Sequence, residues 1–243
     1  LSSHRLEYSP NGVCLISKTE VAVCLLYGIV IVSFKSIDDV KLVKTIDVRT
    51  GFDKCHSVAK LNSDKIVVSG RKYDYSMLCW GVVSITDGRL DSTHNICKGI
   101  HTHLAIKDNT VYISCQTFDS TTTGVCAYDI FNPHTHKFLY RHKELNPWSL
   151  MADRDSVFVC GEDSNRIHQL TDSGQLVTIH TVSSSPRGIF YDDQHGVLYT
   201  TSYGSNKITV YKMKYSHQPG VPVEILDMDD RSIQLFEDAL KDG

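Results

Sequence analysis

Short apolar runs, rich in β-branched and aromatic residues, alternate along this chain with polar turns. Residues of these types are enriched in strands, so each run predicts a strand. The clearest examples occupy residues 21–24, 66–69, 111–114, 157–160 and 197–200. Before the C-terminal tail, no run of ten or more residues has convincing helical periodicity. The pattern therefore predicts an all-β protein and argues against parallel βαβ architectures.

The predicted strands recur in a fixed order. One apolar anchor from the first strand of each segment gives successive spacings of 45, 46, 46 and 39 residues, the anchors being Val13, Val58, Leu104, Leu150 and Ile189. Each anchor is followed by a polar turn, such as residues 107–109 or 153–155, then by two apolar strands and a more polar fourth strand. Four-stranded antiparallel units with this period are typical of β-propeller blades.

A single four-stranded unit cannot bury both of its faces, whereas neighbouring blades can cover each other. We therefore predict a β-propeller of four-stranded antiparallel blades, in which five modules are evident and five or six blades complete the fold. A long β-sandwich is the alternative. The chain has 243 residues, with 41% hydrophobic and 22% charged residues, which is an ordinary globular composition.

We predict that residues 1–226 form the propeller and that residues 227–243 form an acidic tail. The tail carries a local charge of −4 against −3 for the whole chain, which leaves the blades at +1. Ser232 is placed to cap a short helix in this tail, with Ile233, Phe236 and Leu240 on one face.

Eight cysteines are present, none in a Cys-x-x-Cys pair, and the chain has no Asn-x-Ser/Thr acceptor site. The longest apolar stretch, residues 21–34, is shorter than the roughly 20 residues that cross a bilayer. We therefore expect a cytoplasmic protein that does not contact membranes. Cys24, Cys115 and Cys160 lie ten or eleven residues after their anchors, which predicts equivalent buried strand positions with reduced thiols.

Two later modules carry a more specific motif. Asn165-Arg166-Ile167 opens a third strand and Asp172-Ser173-Gly174 follows it, while residues 205–208 repeat the first step with lysine in place of arginine. The fifth module also has a Pro-x-Gly opening, Pro186-Arg187-Gly188. These motifs resemble the NHL repeats that form the C-terminal propeller of tripartite-motif ubiquitin ligases. The resemblance is specific over residues 147–212 and degenerate in the first three modules. It implies a six-bladed fold, with RING and B-box zinc modules in a longer parent chain.

Loops that enter first strands and loops that join second and third strands should emerge on one side of the blades, called here the top face. Basic and aromatic side chains interleave there. The predicted partner-binding residues are His56, Arg71, Tyr73, Tyr75, His103, Trp148, Arg166, Arg187, Tyr203 and Lys207. Tryptophan, tyrosine and arginine are enriched at binding hot spots, so we predict Trp148 as the central anchor. Simple solvation of these loops is the alternative.

Metal and catalytic chemistry find little support in the sequence. His101 and His103 would lie on the same side of a strand, and His134 and His136 repeat the spacing, but two ligands do not make a metal site. A lactonase-type propeller would need acidic and amide side chains around calcium, and the module openings carry Asn11, His56, His103, Trp148 and Arg187 instead. We therefore expect no catalytic residue, metal or small-molecule cofactor, and a chain that is not an enzyme.

The leading interpretation is a non-catalytic propeller that binds a protein or peptide, as the substrate- or partner-recognition module of a tripartite-motif-like ubiquitin ligase. The alternative is an RNA-binding propeller, which the basic and aromatic top face favours and the weak blade charge of +1 opposes. A calcium-dependent hydrolase is the least favoured interpretation.

Overall fold

A computed structural model gives the structure of this protein. It describes residues 10–36, 39–72, 76–118, 123–142, 145–161, 164–182, 185–192, 194–202, 208–214 and 221–227. Within these residues the regular secondary structure is entirely β, in nineteen strands. None of these residues belongs to a helix with the length and apolar composition that crossing a bilayer requires.

The strands form four antiparallel sheets in which neighbours along the chain are neighbours in space. The first sheet contains β1 (Pro10–Ser17), β2 (Glu20–Leu25), β3 (Gly28–Ser36) and β4 (Asp39–Asp47). The second contains β5 (Lys54–Lys60), β6 (Lys65–Lys72), β7 (Met77–Ser84), β8 (Leu90–Lys107), β9 (Thr110–Thr117), β10 (Gly124–Asp129) and β11 (His136–Tyr140). The third contains β12 (Pro147–Asp153), β13 (Ser156–Gly161), β14 (Arg166–Thr171) and β15 (Leu176–Thr181). The fourth contains β16 (Pro186–Asp192), β17 (Val197–Ser202), β18 (Ile208–Lys214) and β19 (Glu224–Asp227).

The seven-stranded sheet consists of two modules that share one long strand. The first half of β8 pairs with β7, as in Met77 opposite Lys98, and its second half pairs with β9, as in Gly99 opposite Thr117. A side chain at Gly99 would meet the Gln116 carbonyl oxygen at 2.6 Å, so glycine allows the close approach at this junction. The five predicted four-stranded modules are therefore confirmed, and the choice between five and six blades stays a prediction.

The chain divides into two compact units, Leu1–Phe138 and Leu139–Gly243. The predicted boundary between a propeller at 1–226 and a tail at 227–243 stays a prediction. Asp227 ends β19, and the predicted Ser232 cap lies outside the described residues.

In the first unit the modules bury each other's faces. Alternate residues of β6 point to different cores: Ile66 and Val68 join Cys24 of β2 in one cluster, while Val67 joins Trp80 in another. This alternation follows from the two-residue period of a strand. Each large side chain removed from water in this way contributes about 1.5–3 kcal/mol to the stability of the fold. Both faces of the second module are therefore core.

Hydrogen bonds between first strands add to this packing. Asn11 Nδ2 donates to the Cys55 carbonyl oxygen at 2.9 Å, which links β1 to β5. The Ser57 hydroxyl accepts from the Leu104 backbone amide at 3.4 Å, which links β5 to β8. In the first unit, polar side chains thus bridge consecutive modules where the sheet ladders do not reach.

In the second unit the fourth and fifth modules share a further core. Phe158 of β13 and Ile167 of β14 pack in one cluster with Leu198 of β17, Tyr211 and Met213 of β18. All five side chains are buried. As in the first unit, strands of one module cover strands of the next.

The five anchors all lie in the first strand of their module, as predicted, but they differ in burial. Val58, Leu104 and Leu150 are buried and Ile189 is half-buried, whereas Val13 is 65% exposed. Val13 lies opposite Val23 in the first sheet. Val23 belongs to a small buried cluster with Leu25 and Val30. The first module therefore has one well-packed face and one that is thinly covered within the described residues.

Left-handed backbone appears at the predicted turns. Asp108 and Arg154, which lie in the polar turns after β8 and β12, have φ of 52° and 46°. Asn165 of the Asn-Arg-Ile motif has φ of 47°, and Gly174 of the Asp-x-Gly turn has φ of 88°. Asparagine, aspartate and glycine tolerate this conformation best, so three of the four positions carry the residue types that the turn favours.

All eight cysteines are free thiols, and Cys24, Cys115 and Cys160 are fully buried, as predicted. Burial raises the pKa of Cys160 well above its ordinary value. Their predicted equivalence is wrong for Cys115. Val13 pairs with Val23 and Leu150 pairs with Val159, so Cys24 and Cys160 each lie one residue beyond the partner of their anchor. Leu104 pairs with Ile113, so Ser114 occupies the equivalent position in the third module. Cys115 is one residue further and faces the opposite core, with Trp80.

Replacement of Gly174 by alanine should destabilise the second unit strongly. A Cβ at Gly174 would lie 2.3 Å from the Leu139 backbone oxygen, and the residue has positive φ. Gly196 is the matched control, because its φ is also positive but the atoms nearest to an added Cβ, Lys212 Nζ and the Met213 backbone oxygen, lie at 3.6 Å, an ordinary contact distance. Urea unfolding should give a loss of about 1–2 kcal/mol for Gly196→Ala and above about 3 kcal/mol for Gly174→Ala. Equal losses would contradict the close approach to Leu139.

Candidate functional site

The first strand of every module has an irregular register near its start. The pairing shifts between Pro10 and Gly12, Cys55 and Ser57, Gly99 and His101, Pro147 and Leu150, and Pro186 and Gly188. Such β-bulges re-aim a side chain and are common beside functional sites. The residues within these shifts include three predicted site residues, namely His56, Trp148 and Arg187.

The sequence contains a signal for two of these bulges. Asn11 and Arg187 each lie between a proline and a glycine, at Pro10-Asn11-Gly12 and Pro186-Arg187-Gly188. The proline lacks a backbone donor and the glycine lacks a side chain, so both suit an interrupted ladder. The Pro-x-Gly opening is therefore a bulge signal.

His103 does not occupy the position predicted for it. His56, Trp148 and Arg187 each lie two residues before their anchor, and the corresponding residue before Leu104 is Thr102, which is buried. In this module the bulge falls earlier, at Ile100. His103 lies two residues after His101 on β8, so the two side chains lie on the same side of the strand.

In the first unit three imidazoles form a connected cluster, which we call the histidine cluster: His56, His101 and His103. The ring centroids of His56 and His101 are 4.5 Å apart, and those of His101 and His103 are 4.9 Å apart. The prediction that His101 and His103 lie on the same side of β8 is thereby confirmed. The His101 ring contacts both of the other rings. From the sequence, the His-x-His spacing indicated His101 only as one half of a candidate metal pair.

His56 is 1% exposed, and in the described part of the chain neither of its ring nitrogens has a hydrogen-bond partner. Burial, together with the positive charges of Lys54, His103 and Arg71, lowers the pKa of His56 to about 3. Lys54 and Arg71 are directly opposite each other on β5 and β6. His56 is therefore a neutral imidazole in an electropositive environment at pH 7.

In the second unit Arg187 stacks on Trp148. The guanidinium carbon lies 3.8 Å from the centroid of the Trp148 ring, which is a cation–π contact, and both side chains are half-buried. Such contacts contribute about 0.5–2 kcal/mol, with larger values where water is excluded. Because the two residues belong to β12 and β16, the contact joins the first strands of two consecutive modules.

Of the remaining predicted site residues, one lies within the described part of the chain. Arg166 begins β14, opposite Gly161 and Thr181, directly after the left-handed Asn165. Four further predicted site residues lie outside the described residues: Tyr73, Tyr75, Tyr203 and Lys207. The structure thus brings together His56, Arg71 and His103 in the first unit, and Trp148 and Arg187 in the second.

Histidines outside the histidine cluster pack against aromatic rings. His136 stacks on Tyr128 at 5.3 Å, while His94 contacts Trp80 at 4.6 Å and the edge of His134 at 6.3 Å. Among the residues that the structure describes, no group of three or more histidine, cysteine, aspartate or glutamate side chains could hold a metal ion.

Two hydrogen-bonded histidines were not identified from the sequence. Tyr140 Oη and His168 Nδ1 are 2.9 Å apart in the core of the second unit, where His168 is fully buried. His195 Nδ1 lies 2.7 Å from Asp192 Oδ2, and the His195 backbone amide also donates to Asp192. The double contact shows that this Asp–His pair closes the turn between β16 and β17. The Asp-x-x-His spacing is the sequence signal for it.

No protein-family model matches the sequence, and no curated protein matches it. Solved structures match in fold. A gluconolactonase from Xanthomonas campestris gives a TM-score of 0.61 at 12% identity, over 79% of this chain and 69% of that chain. A nidogen/laminin complex gives 0.65 at 11% identity, over 84% and 76% of the two chains. A luciferin-regenerating enzyme gives 0.64 at 13% identity, over 82% and 72%.

This likeness, together with the four-stranded antiparallel modules, identifies the fold as a β-propeller. The expectation that the chain is not an enzyme was wrong, because structures named a gluconolactonase and a luciferin-regenerating enzyme share this fold. The physical reason is that a propeller provides only a scaffold, on which loop residues create either binding or catalytic sites. The fold therefore occurs in both binding proteins and enzymes.

Stability should depend on pH through His56. The unfolded chain binds a proton at His56 near pH 6.5, whereas the folded protein excludes it until about pH 3. Between these values the unfolded state holds more protons, so stability falls as the pH decreases, by about 1.4 kcal/mol per pH unit for one such group. His180 and His94, which are both half-buried, also have lowered pKa values and add to the slope.

Urea unfolding of wild type and His56→Gln at pH 7, 6 and 5 measures this effect. The variant should lose less stability between pH 6 and 5, and His136→Gln, which replaces an exposed histidine, should match the wild type. The same slope in His56→Gln and wild type would contradict a neutral buried His56.

The stacking of Arg187 on Trp148 should appear as a coupling energy. In a double-mutant cycle with Trp148→Leu and Arg187→Gln, the unfolding free energies should be non-additive by about 0.5–1 kcal/mol. Arg187→Lys is the control, since lysine keeps the charge and loses the planar stack. Additive losses would show that the contact contributes nothing to the folded state.

Proposed function

We propose that this protein is a recognition propeller that binds a protein or peptide partner, with Trp148 and Arg187 at the centre of the binding surface. The observation that carries the proposal is the placement of the Arg187 guanidinium 3.8 Å from the Trp148 ring centroid, on two bulged strands. Both residues are half-buried, so a partner can complete their burial.

Energetics favour this pair as an anchor. Tryptophan and arginine are among the residue types that most often dominate binding, and they do so in well-packed, desolvated parts of an interface. Stacking restricts the rotamers of both side chains, which reduces the entropy lost on binding. A partner therefore meets a preorganised aromatic and cationic surface.

We further propose that the partner is a substrate or adaptor of a tripartite-motif-like ubiquitin ligase, to which this propeller would belong. Support comes from the NHL-like motifs, in which Asn165 and Gly174 have the left-handed backbone that their turns favour. A structure of a nidogen/laminin complex with the same fold supports a binding role in general. A cytoplasmic location stays a prediction from the cysteine and glycosylation patterns.

The experiment is a pull-down from cytosol with and without nuclease. Trp148→Ala and Arg187→Glu should each lose the partner, with an affinity loss of about thirtyfold or more for Trp148→Ala. Phe131→Ala and Arg89→Glu are matched controls, because Phe131 is 80% exposed and Arg89 lies on the surface of the first unit.

Three outcomes count against the proposal. If both Trp148→Ala and Arg187→Glu recover the wild-type partners, this surface is not the binding site. If nuclease removes the partners, the ligand is RNA, and the alternative interpretation replaces the protein partner. If the purified chain hydrolyses gluconolactone and Trp148→Ala abolishes that activity, the site is catalytic, as the names of two structural neighbours suggest for their own proteins.

A further inference from the structure

His56 is buried in a way that ordinary core packing does not explain. It is 1% exposed, and among the described residues no group bonds to either ring nitrogen. A buried polar atom without a partner costs free energy, and native proteins therefore rarely leave one unpaired. A ligand that supplies the missing hydrogen bond would remove this cost.

The charge around His56 determines which ligand suits it. Lys54 and Arg71 face each other across β5 and β6, and both act electrostatically on the imidazole, as does His103. A cation would be repelled from this environment and an anion attracted. An apolar ligand would leave the ring nitrogens unsatisfied. The missing partner is therefore an acceptor with a negative charge.

The histidine cluster also connects the enclosed His56 to half-buried side chains. His101 contacts the His56 ring and His103 contacts the His101 ring, and both are half-buried, whereas His56 is enclosed. Lys54 and Arg71 are half-buried as well. These half-buried residues are where an anion would first contact the site.

We propose that His56, His101 and His103, together with Lys54 and Arg71, form a binding site for a carboxylate group. A neutral His56 can donate one ring N–H to one carboxylate oxygen, and the Arg71 guanidinium has the planar geometry that matches a carboxylate. A single carboxylate needs few positive charges. Nucleic-acid phosphates are bound by markedly basic surfaces, whereas the blades carry only +1. The carboxylate belongs either to a small acid or to an acidic side chain of a peptide.

This inference is independent of the proposed partner surface at Trp148 and Arg187, and its test uses no partner. Protein labelled with ¹⁵N in histidine is titrated with sodium acetate, and acetamide serves as the neutral probe of the same shape. We expect saturable shifts of the His56 imidazole signals with a dissociation constant of about 1–10 mM for acetate. Acetamide should cause no saturable shift.

Variants of the charged residues test the assignment. Arg71→Gln should weaken acetate binding about tenfold, because it removes one charge-assisted hydrogen bond. Arg49→Gln is the matched control, since Arg49 is an exposed arginine of the same unit that pairs with Asp47. Arg71 is half-buried, so its variant should fold; His56→Gln, with a larger effect expected, is the second variant, and its circular dichroism spectrum checks its fold.

A second titration distinguishes the two sources of the carboxylate. N-acetyl-aspartate amide and N-acetyl-asparagine amide represent an acidic side chain and its neutral analogue. Binding of the aspartate derivative tenfold tighter than acetate supports a peptide ligand, and equal binding supports a small acid. The proposal is overturned if acetate and acetamide shift the signals equally, if Arg71→Gln binds acetate as wild type does, or if inorganic phosphate saturates the site and acetate does not.

Discussion

Every other feature of this structure depends on one constraint: a four-stranded sheet with two apolar faces cannot remain in water alone. The residues of β6 show how the chain meets it, because Ile66 and Val68 enter one core while Val67 enters another. Once both faces must be covered, the modules have to lie side by side, and their first strands come close enough for Asn11 and Ser57 to bond across them. The packing of faces therefore also decides where the openings of neighbouring modules meet.

The candidate sites lie where this packing ends. Bulges at the start of β5, β12 and β16 interrupt the ladders and turn His56, Trp148 and Arg187 away from the regular alternation. In one unit the result is an arginine stacked on an indole, and in the other a neutral imidazole among cations. Both arrangements keep polar groups partly or wholly out of water, which costs stability and prepares the groups to interact with a ligand.

Much of the fold was predictable from the sequence because strand alternation and turn chemistry are local. The spacing of the anchors predicted the five modules, and polar turns were predicted where Asp108 and Arg154 have left-handed backbone. Registers were less predictable, because a bulge shifts every later residue to the other face. His103 was assigned one residue away from Thr102 because the bulge of its strand falls earlier. Cys115 was assigned one residue away from Ser114 because the partner of its anchor follows after nine residues, against ten in the first module. The contact between Arg187 and Trp148 could not be predicted from the sequence either, since it depends on how two modules pack.

The long strand β8 has a consequence for how the first unit unfolds. Elsewhere in the described chain each module ends before the next begins, but β8 runs for 18 residues through two modules. Opening either module requires disrupting a strand that the other module also uses. The two modules should thus behave as one cooperative unit in hydrogen exchange, with amide protection that continues from β7 to β9. A covalent nick within β8 would accordingly release both modules at once, whereas a nick in a loop between other modules would leave each sheet complete.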